Sequence, residues 1–316
     1  MALEGNTGAL YEGQTFSHHR IFEEAMAFIR QHKDQPFFCY CPWTPPHGLW
    51  GLPEDEPSWQ KYKHEKWDAG YQMRKDEAQR YAAMVNMIDR QIGQILDLLK
   101  ELTIDDHTVV FVCGDNGGNT YFANDKHPHG FFGPNVDPKT GTVFRGRKGL
   151  LYEGGLRVPF FARWPGKIKP GTVTDHLGYF PDIMPTLAAL ARAECPDDID
   201  GISIAPTLLG NRRAGSKQAN HEYLYWEYGG QVAVRWKQWK AYKPRKGGWE
   251  LYDLSADVEE KADLASKRPE ILERLKGYAA TAHTPHVPGE IVDEALCMKD
   301  HRETKNPKPW EQRKGR

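Results

Sequence analysis

The sequence predicts an α/β fold: a large domain with a mainly parallel sheet, followed by a small antiparallel sheet with a helix. Three observations predict it. Residues 76–102 place apolar side chains at helical spacing just ahead of a strand-like run at 108–113. Two more short apolar runs, at 36–43 and 158–164, alternate with helical stretches, and strands alternating with helices form parallel sheets. After about residue 200 the pattern changes to short alternating segments divided by glycine pairs, as in antiparallel hairpins.

Taken in order, Ile21, Phe22, Ala25, Phe28 and Ile29 repeat at helical spacing and predict an amphipathic helix over 19–32. Ser17 reads as part of its N-cap region, with His18 and His19 on the surface. "PFFCYCPW" (36–43) reads as a buried strand, and the Pro- and Gly-rich 44–59 as loop. Tyr81, Met84, Val85, Ile88, Ile92, Ile95, Leu96, Leu99 and Leu102 give the strongest helix signal of the chain. Residues 114–157 hold ten glycines and no periodic pattern, and a loop that long in a compact domain tends to be functional. "VPFFARW" (158–164) reads as a third buried strand and 181–191 as a helix. "EYLYWEY", "QVAVRWKQWKAYK" and "GWELYDL" predict three or four antiparallel strands, with a helix near 269–280. The expected domains are 1–200, 201–285 and a polar tail at 286–316.

Composition excludes several classes. Lys and Arg number 42 against 43 Asp and Glu, so no global charge favours nucleic acid or an anionic membrane. No apolar run approaches the ~20 residues of a membrane helix. The first residues lack a charged-then-apolar export layout. Five cysteines give no disulfide framework, and Cys39 and Cys41 read as core thiols.

Three stretches carry chemistry. In "TVVFVCGDNGG" (108–118), Asp115 and Asn116 end a strand among glycines. A carboxylate and an amide carbonyl are hard oxygen donors suited to Ca²⁺ or Mg²⁺, but the same residues also make ordinary Asx turns. In "TPPHGLW" (44–50), two prolines hold His47 at a strand's end. An imidazole fixed there suits a general acid, and it would equally be an ordinary loop histidine. In "FRGRKGLLYEGGLRVPF" (144–160), Arg145, Arg147 and Lys148 alternate with glycines, as an oxyanion site or as a solvated basic turn. His129, in "PHG" within the long loop, is a weaker candidate for a pocket residue. A cation, an oxyanion binder and an acid together are the equipment for hydrolysing sulfuric or phosphoric esters.

These motifs, in this order, resemble the type I sulfatases of the alkaline-phosphatase-like superfamily. "PFFCYCPWTPPHGLW" resembles the family's strand-and-histidine segment, and "TVVFVCGDNGG" its T-x-V-x-F-x-S/G-D-N-G segment. "RGRKGLLYEGGLRVPFFARWPGKI" resembles G-x-K-x-x-x-x-E-G-G-x-R-V-P. "VRWKQWKAYK…WELYDLSADVEEKADLA" resembles the C-terminal subdomain, and the likeness runs from about residue 20 to 280.

The resemblance implies an alkaline-phosphatase-like sandwich and a sulfuric ester hydrolase acting on an aryl or carbohydrate sulfate. It implies Asp115 and Asn116 as Ca²⁺ ligands, with His47 and Lys148 contacting the sulfate and its leaving oxygen. It also implies a formylglycine nucleophile made in a C/S-x-P/A-x-R motif, and no cysteine or serine of this sequence stands in one. The chain is therefore expected to be the downstream portion of a family member, with part of the Ca²⁺ site and without turnover of its own. A periplasmic or secreted location is expected of the complete protein. A phosphodiester or phosphonate hydrolase of the same superfamily, and a non-catalytic binding paralogue, are the alternatives.

Overall fold

The computed structural model describes residues 15–48, 50–69, 75–210 and 217–285. The expected tail at 286–316 lies outside the described residues. The described residues divide into two compact units, those up to Leu98 and those from Leu99 to Ala282.

The first unit contains α1 (Ser17–His32), α2 (Pro57–Tyr62) and most of α3 (Glu77–Glu101). Helix α1 starts one position earlier than a Ser17 cap would require. Its N-cap is Phe16, which makes no side-chain capping bond. His18 is not on the surface: it is 3% exposed, with Nε2 2.6 Å from Gln91 Oε1 of α3. The apolar face of α3 buries Ala83, Met84, Met87 and Leu98, and Gln91 sits in that stripe to meet His18. His19 reaches the buried Glu56 at 2.8 Å, and Arg90 reaches the same carboxylate at 2.7 Å.

Residues 36–43 are extended and alternate as a strand should. Phe37 and Trp43 pack on Phe28 and Phe22 of α1. No β-ladder forms among the described residues, and the outward Phe38 and Tyr40 are 67% and 76% exposed. The expected buried strand is thus an extended segment covered on one face only. A strand buried on both faces requires neighbours that are distant in sequence, which a local pattern does not specify.

The second unit holds β1 (Val110–Cys113), α4 (Glu153–Leu156), β2 (Phe160–Arg163), α5 (Ile183–Ala191), α6 (Ala205–Leu209), β3 (Leu224–Tyr228), β4 (Gln231–Trp236), β5 (Trp239–Lys243), β6 (Glu250–Asp253) and α7 (Pro269–Ala282). Strands β1 and β2 pair antiparallel, Val110 opposite Arg163 and Cys113 opposite Phe160. The sequence predicts a mainly parallel sheet, but the pairing seen among the described residues is antiparallel. A parallel return needs a crossover, usually a helix, and between Cys113 and Phe160 there is only the four-residue α4. Phe160 and Phe161 are 38% and 65% exposed, so β2 is not the buried strand its composition predicts. A two-stranded ribbon leaves a face open.

The four strands β3 to β6 form an antiparallel meander in sequence order. Alternation along each strand gives the sheet two apolar faces. Val234, Ala241 and Leu251 pack on Leu272, Leu275 and Ala279 of α7. Ala233, Tyr242 and Tyr252 pack on Leu151 and Tyr152, just ahead of α4. The second face therefore supports the segment that carries the basic and glycine-rich motifs. No helix among the described residues is long and apolar enough to cross a membrane.

Candidate functional site

Strand β1 ends at Cys113, and Gly114 N extends the pairing to Pro159 O at 3.2 Å. The chain then turns through Asp115 and Asn116. Gly117 N donates to Gly155 O at 2.9 Å. A Cβ on Gly117 would lie 2.1 Å from Gly154 O and 2.7 Å from Gly155 Cα, so only glycine fits against α4. Gly118 O accepts from Lys148 N at 3.0 Å and from the side chain of Asn135 at 3.1 Å. The same Asn135 amide reaches Gly146 O at 3.0 Å. The backbone thus holds the Asp-Asn turn beside the segment bearing Lys148.

Asp115 is exposed, and no described residue donates a hydrogen bond to its carboxylate. Asn116 directs Nδ2 to Gly117 O at 2.9 Å, which leaves its Oδ1 oxygen for another partner. Lys148 is half-buried, and its ammonium has no ion-pair or hydrogen-bond partner among the described residues. Two hard oxygens and a cation without protein partners fit a divalent ion with an oxyanion. They supply two of the roughly 6–8 oxygens that Ca²⁺ takes. Among the described residues no group of three or more His, Cys, Asp or Glu could hold a metal alone. The formylglycine that the resemblance implies has no matching residue in the sequence.

Arg145 departs from its reading as an oxyanion binder. Its guanidinium stacks on the Tyr152 ring, 4.1 Å from the centroid, and donates to Tyr252 Oη at 2.7 Å and Glu260 O at 2.8 Å. It is a strut between the motif segment and the C-terminal sheet. Arg147 bonds Thr120 Oγ1 at 3.3 Å. His129 is exposed and lines a shallow groove in the same unit.

Beneath α4 lies an ion cluster that the sequence did not announce. Lys240 of β5 is fully buried, 2.9 Å from Glu153 and 2.8 Å from Glu260. Glu260 Oε2 accepts from the Glu153 amide at 2.7 Å, and Arg157 holds the other Glu153 oxygen at 2.8 Å. Burial alone would push the Glu153 carboxyl up, but Lys240 and Arg157 more than offset it and hold Glu153 below its usual range. Burial dominates at Glu260, whose carboxyl is held above it. The visible signal was Lys240 in phase with Tyr242 on an otherwise apolar strand face.

His47 belongs to the first unit. Its amide closes a turn to Thr44 O at 3.0 Å, and the buried Trp50 donates to Pro46 O at 2.9 Å. The imidazole is exposed and has no hydrogen bond among the described residues.

Comparison with known proteins defines the class. The sulfatase family model matches residues 4–193, more than half of the chain, and the chain belongs to that family. The model for the C-terminal region of N-sulphoglucosamine sulphohydrolase matches residues 144–278. Among individual relatives, an uncharacterized sulfatase of Schizosaccharomyces pombe is 32% identical over 230 residues, covering 63% of this chain and 42% of that protein. An N-acetylgalactosamine-6-O-sulfatase of Bacteroides thetaiotaomicron is 28% identical over 302 residues, covering 89% of this chain and 54% of that protein. The chain therefore spans about half the length of these relatives. The crystal structure of Ps i-CgsB superimposes with a TM-score of 0.70 at 23% identity, over 92% of this chain and 60% of that one, which shows a shared fold.

Proposed function

We propose that the chain carries the cation-binding and oxyanion-binding part of a sulfuric ester hydrolase whose substrate is an aryl or carbohydrate sulfate. The carrying observation is the pinned neighbourhood of Asp115, Asn116 and Lys148, joined through the 3.0 Å bond from Lys148 N to Gly118 O. Asp115 and Asn116 would hold a Ca²⁺ ion. When bound, such an ion neutralises sulfate oxygens as a Lewis acid. Lys148 is the side chain that meets the ester oxygens, as a point charge that needs no fixed fork geometry. His47 takes the role of acid for the leaving oxygen, on the strength of the T-P-P-H likeness and of an imidazole free to donate. The name of the Bacteroides relative, an N-acetylgalactosamine-6-O-sulfatase, favours a sulfated sugar.

The test is binding, because the family's nucleophile motif is absent from the sequence. Inorganic sulfate titrated into the 316-residue chain with Ca²⁺ present should bind, and Lys148→Ala should weaken it at least about tenfold, the factor given by ~1.4 kcal/mol. Asp115→Ala should abolish the rise in melting temperature that Ca²⁺ produces while leaving the Ca²⁺-free melting temperature unchanged. Equal sulfate affinity in Lys148→Ala would sink the reading.

A further inference from the structure

Lys148 stands at the second position of a four-residue turn. Leu150 N donates to Arg147 O at 3.0 Å, and Gly149 has φ +86, the positive value that a type II turn takes at its third position. Lys148 N ties one side of the turn to Gly118 O at 3.0 Å. The other side is held by a side chain distant in sequence. Gln231, the first residue of β4, donates from Nε2 to Gly149 O at 2.9 Å. A Cβ added to Gly149 would meet no atom within 4 Å, so packing does not brace the turn there and the hydrogen bond does.

The place of Gln231 in the sheet needs a physical reason. It is buried, in phase with Ala233 on the face that packs on Leu151 and Tyr152. An amide in apolar surroundings costs stability unless it is hydrogen-bonded. Its oxygen accepts from Tyr242 Oη of β5 at 2.7 Å, which orients the amide with Nε2 toward the lysine turn. A second bond from Nε2, to Tyr228 O at 3.3 Å, stays within the β3–β4 hairpin and is the longer of the two. Tyr242 is itself buried, with its ring centroid 4.1 Å from that of Tyr152. A line of fixed groups thus runs from β5 through β4 to the peptide beside Lys148.

We propose that Gln231 is a positioning residue for the sulfate-binding ammonium: through it the C-terminal sheet holds the Gly149 peptide and sets where Lys148 meets an oxyanion. The assignment rests on the sulfate-ester reading of Lys148. A lysine side chain has many rotamers, and an ordered turn beneath it lowers the freedom that binding must remove.

The experiment is a double-mutant cycle on the 316-residue chain, with inorganic sulfate titrated in the presence of Ca²⁺. Gln231→Met keeps the length of the side chain and removes the amide. It should weaken sulfate binding about fivefold, and in the Lys148→Ala background it should weaken it no further. Amide hydrogen exchange gives a readout that a general loss of stability would not. In Gln231→Met the Leu150 amide should exchange at least about tenfold faster, while the Gly117 amide, bonded to Gly155 O, keeps its rate. Tyr242→Phe removes only the hydroxyl that orients the amide. It should shift both readouts the same way, about twofold, and it decides the matter if Gln231→Met does not fold. Unchanged sulfate affinity in the folded variants, an equal loss in the Lys148→Ala background, or exchange equally faster at Leu150 and Gly117 overturns the positioning role and leaves Lys148 standing as the sulfate binder. Sulfate affinity unchanged by Lys148→Ala overturns the sulfate-ester reading, and the positioning role with it.

Discussion

The amide of Gly117 donates to the carbonyl of Gly155 at 2.9 Å, and this bond ties the Asp-Asn turn to the buried α4. Because the added carbon would press on backbone at 2.1 Å, Gly117→Ala cannot be absorbed by side-chain motion. It should destabilise the chain by about 3 kcal/mol, at the upper end of overpacking costs. Chemical denaturation monitored by circular dichroism measures it, and a loss below about 0.5 kcal/mol would show that the turn is held by something else.

Gly277 is the counter-case. It lies exposed in α7, and an added Cβ would meet no atom within 4 Å. Gly277→Ala removes unfolded-chain freedom without strain and should stabilise by about 0.5–1 kcal/mol. A lowered denaturation midpoint would contradict the open surroundings of that position.

Removing Lys240 should be far more damaging than its single charge suggests. The side chain is fully buried between Glu153 and Glu260, and Lys240→Met leaves both carboxylates in the core. Stripping one partner from a buried ion cluster costs about 3–5 kcal/mol. Adding Glu260→Gln to Lys240→Met should recover part of that loss, because one uncompensated charge goes with it. A double variant as unstable as the single one would locate the cost in packing instead.

His176 gives the second unit an acid-sensitive point. Its Nε2 is buried without a hydrogen bond, and burial lowers its pKa from 6.5, against the partial support of Asp182 and with His221 opposing protonation. Above about pH 6.5 the ring is neutral in both folded and unfolded chains, and its titration adds nothing. As pH falls through that value the unfolded chain takes the proton first, so stability declines until the lower folded pKa is passed. The melting temperature should therefore drop between about pH 7 and pH 5, and His176→Gln should flatten the drop. An unchanged slope in the variant would assign the acid lability to other groups.

Much of the fold was legible because the signals were local. The apolar spacing of 76–102 became α3, and the glycine-divided segments after residue 220 became a four-stranded meander. The glycines around Asp115 and Asn116 mark a tight turn in the sequence, and backbone bonds hold that turn beside the segment bearing Lys148. What failed was non-local. Arg145 looks like its neighbours in sequence, and only Tyr252 and Glu260, more than a hundred residues away, make it a strut. His18 reads as a surface residue until Gln91 of α3 covers it. Residues 36–43 have a strand's alternation, but a ladder needs partners that alternation does not name.

Asn135 bridges Gly118 O and Gly146 O with a single amide, and Lys148 N closes the same junction. The loop between them hangs from a clasped neck, to which Thr120 adds a bond with Arg147. Lengthening a loop costs little once its ends are fixed. The stretch from Asn119 to Pro134 is thereby an insert whose two ends are fixed by backbone bonds, so its length can vary at little cost.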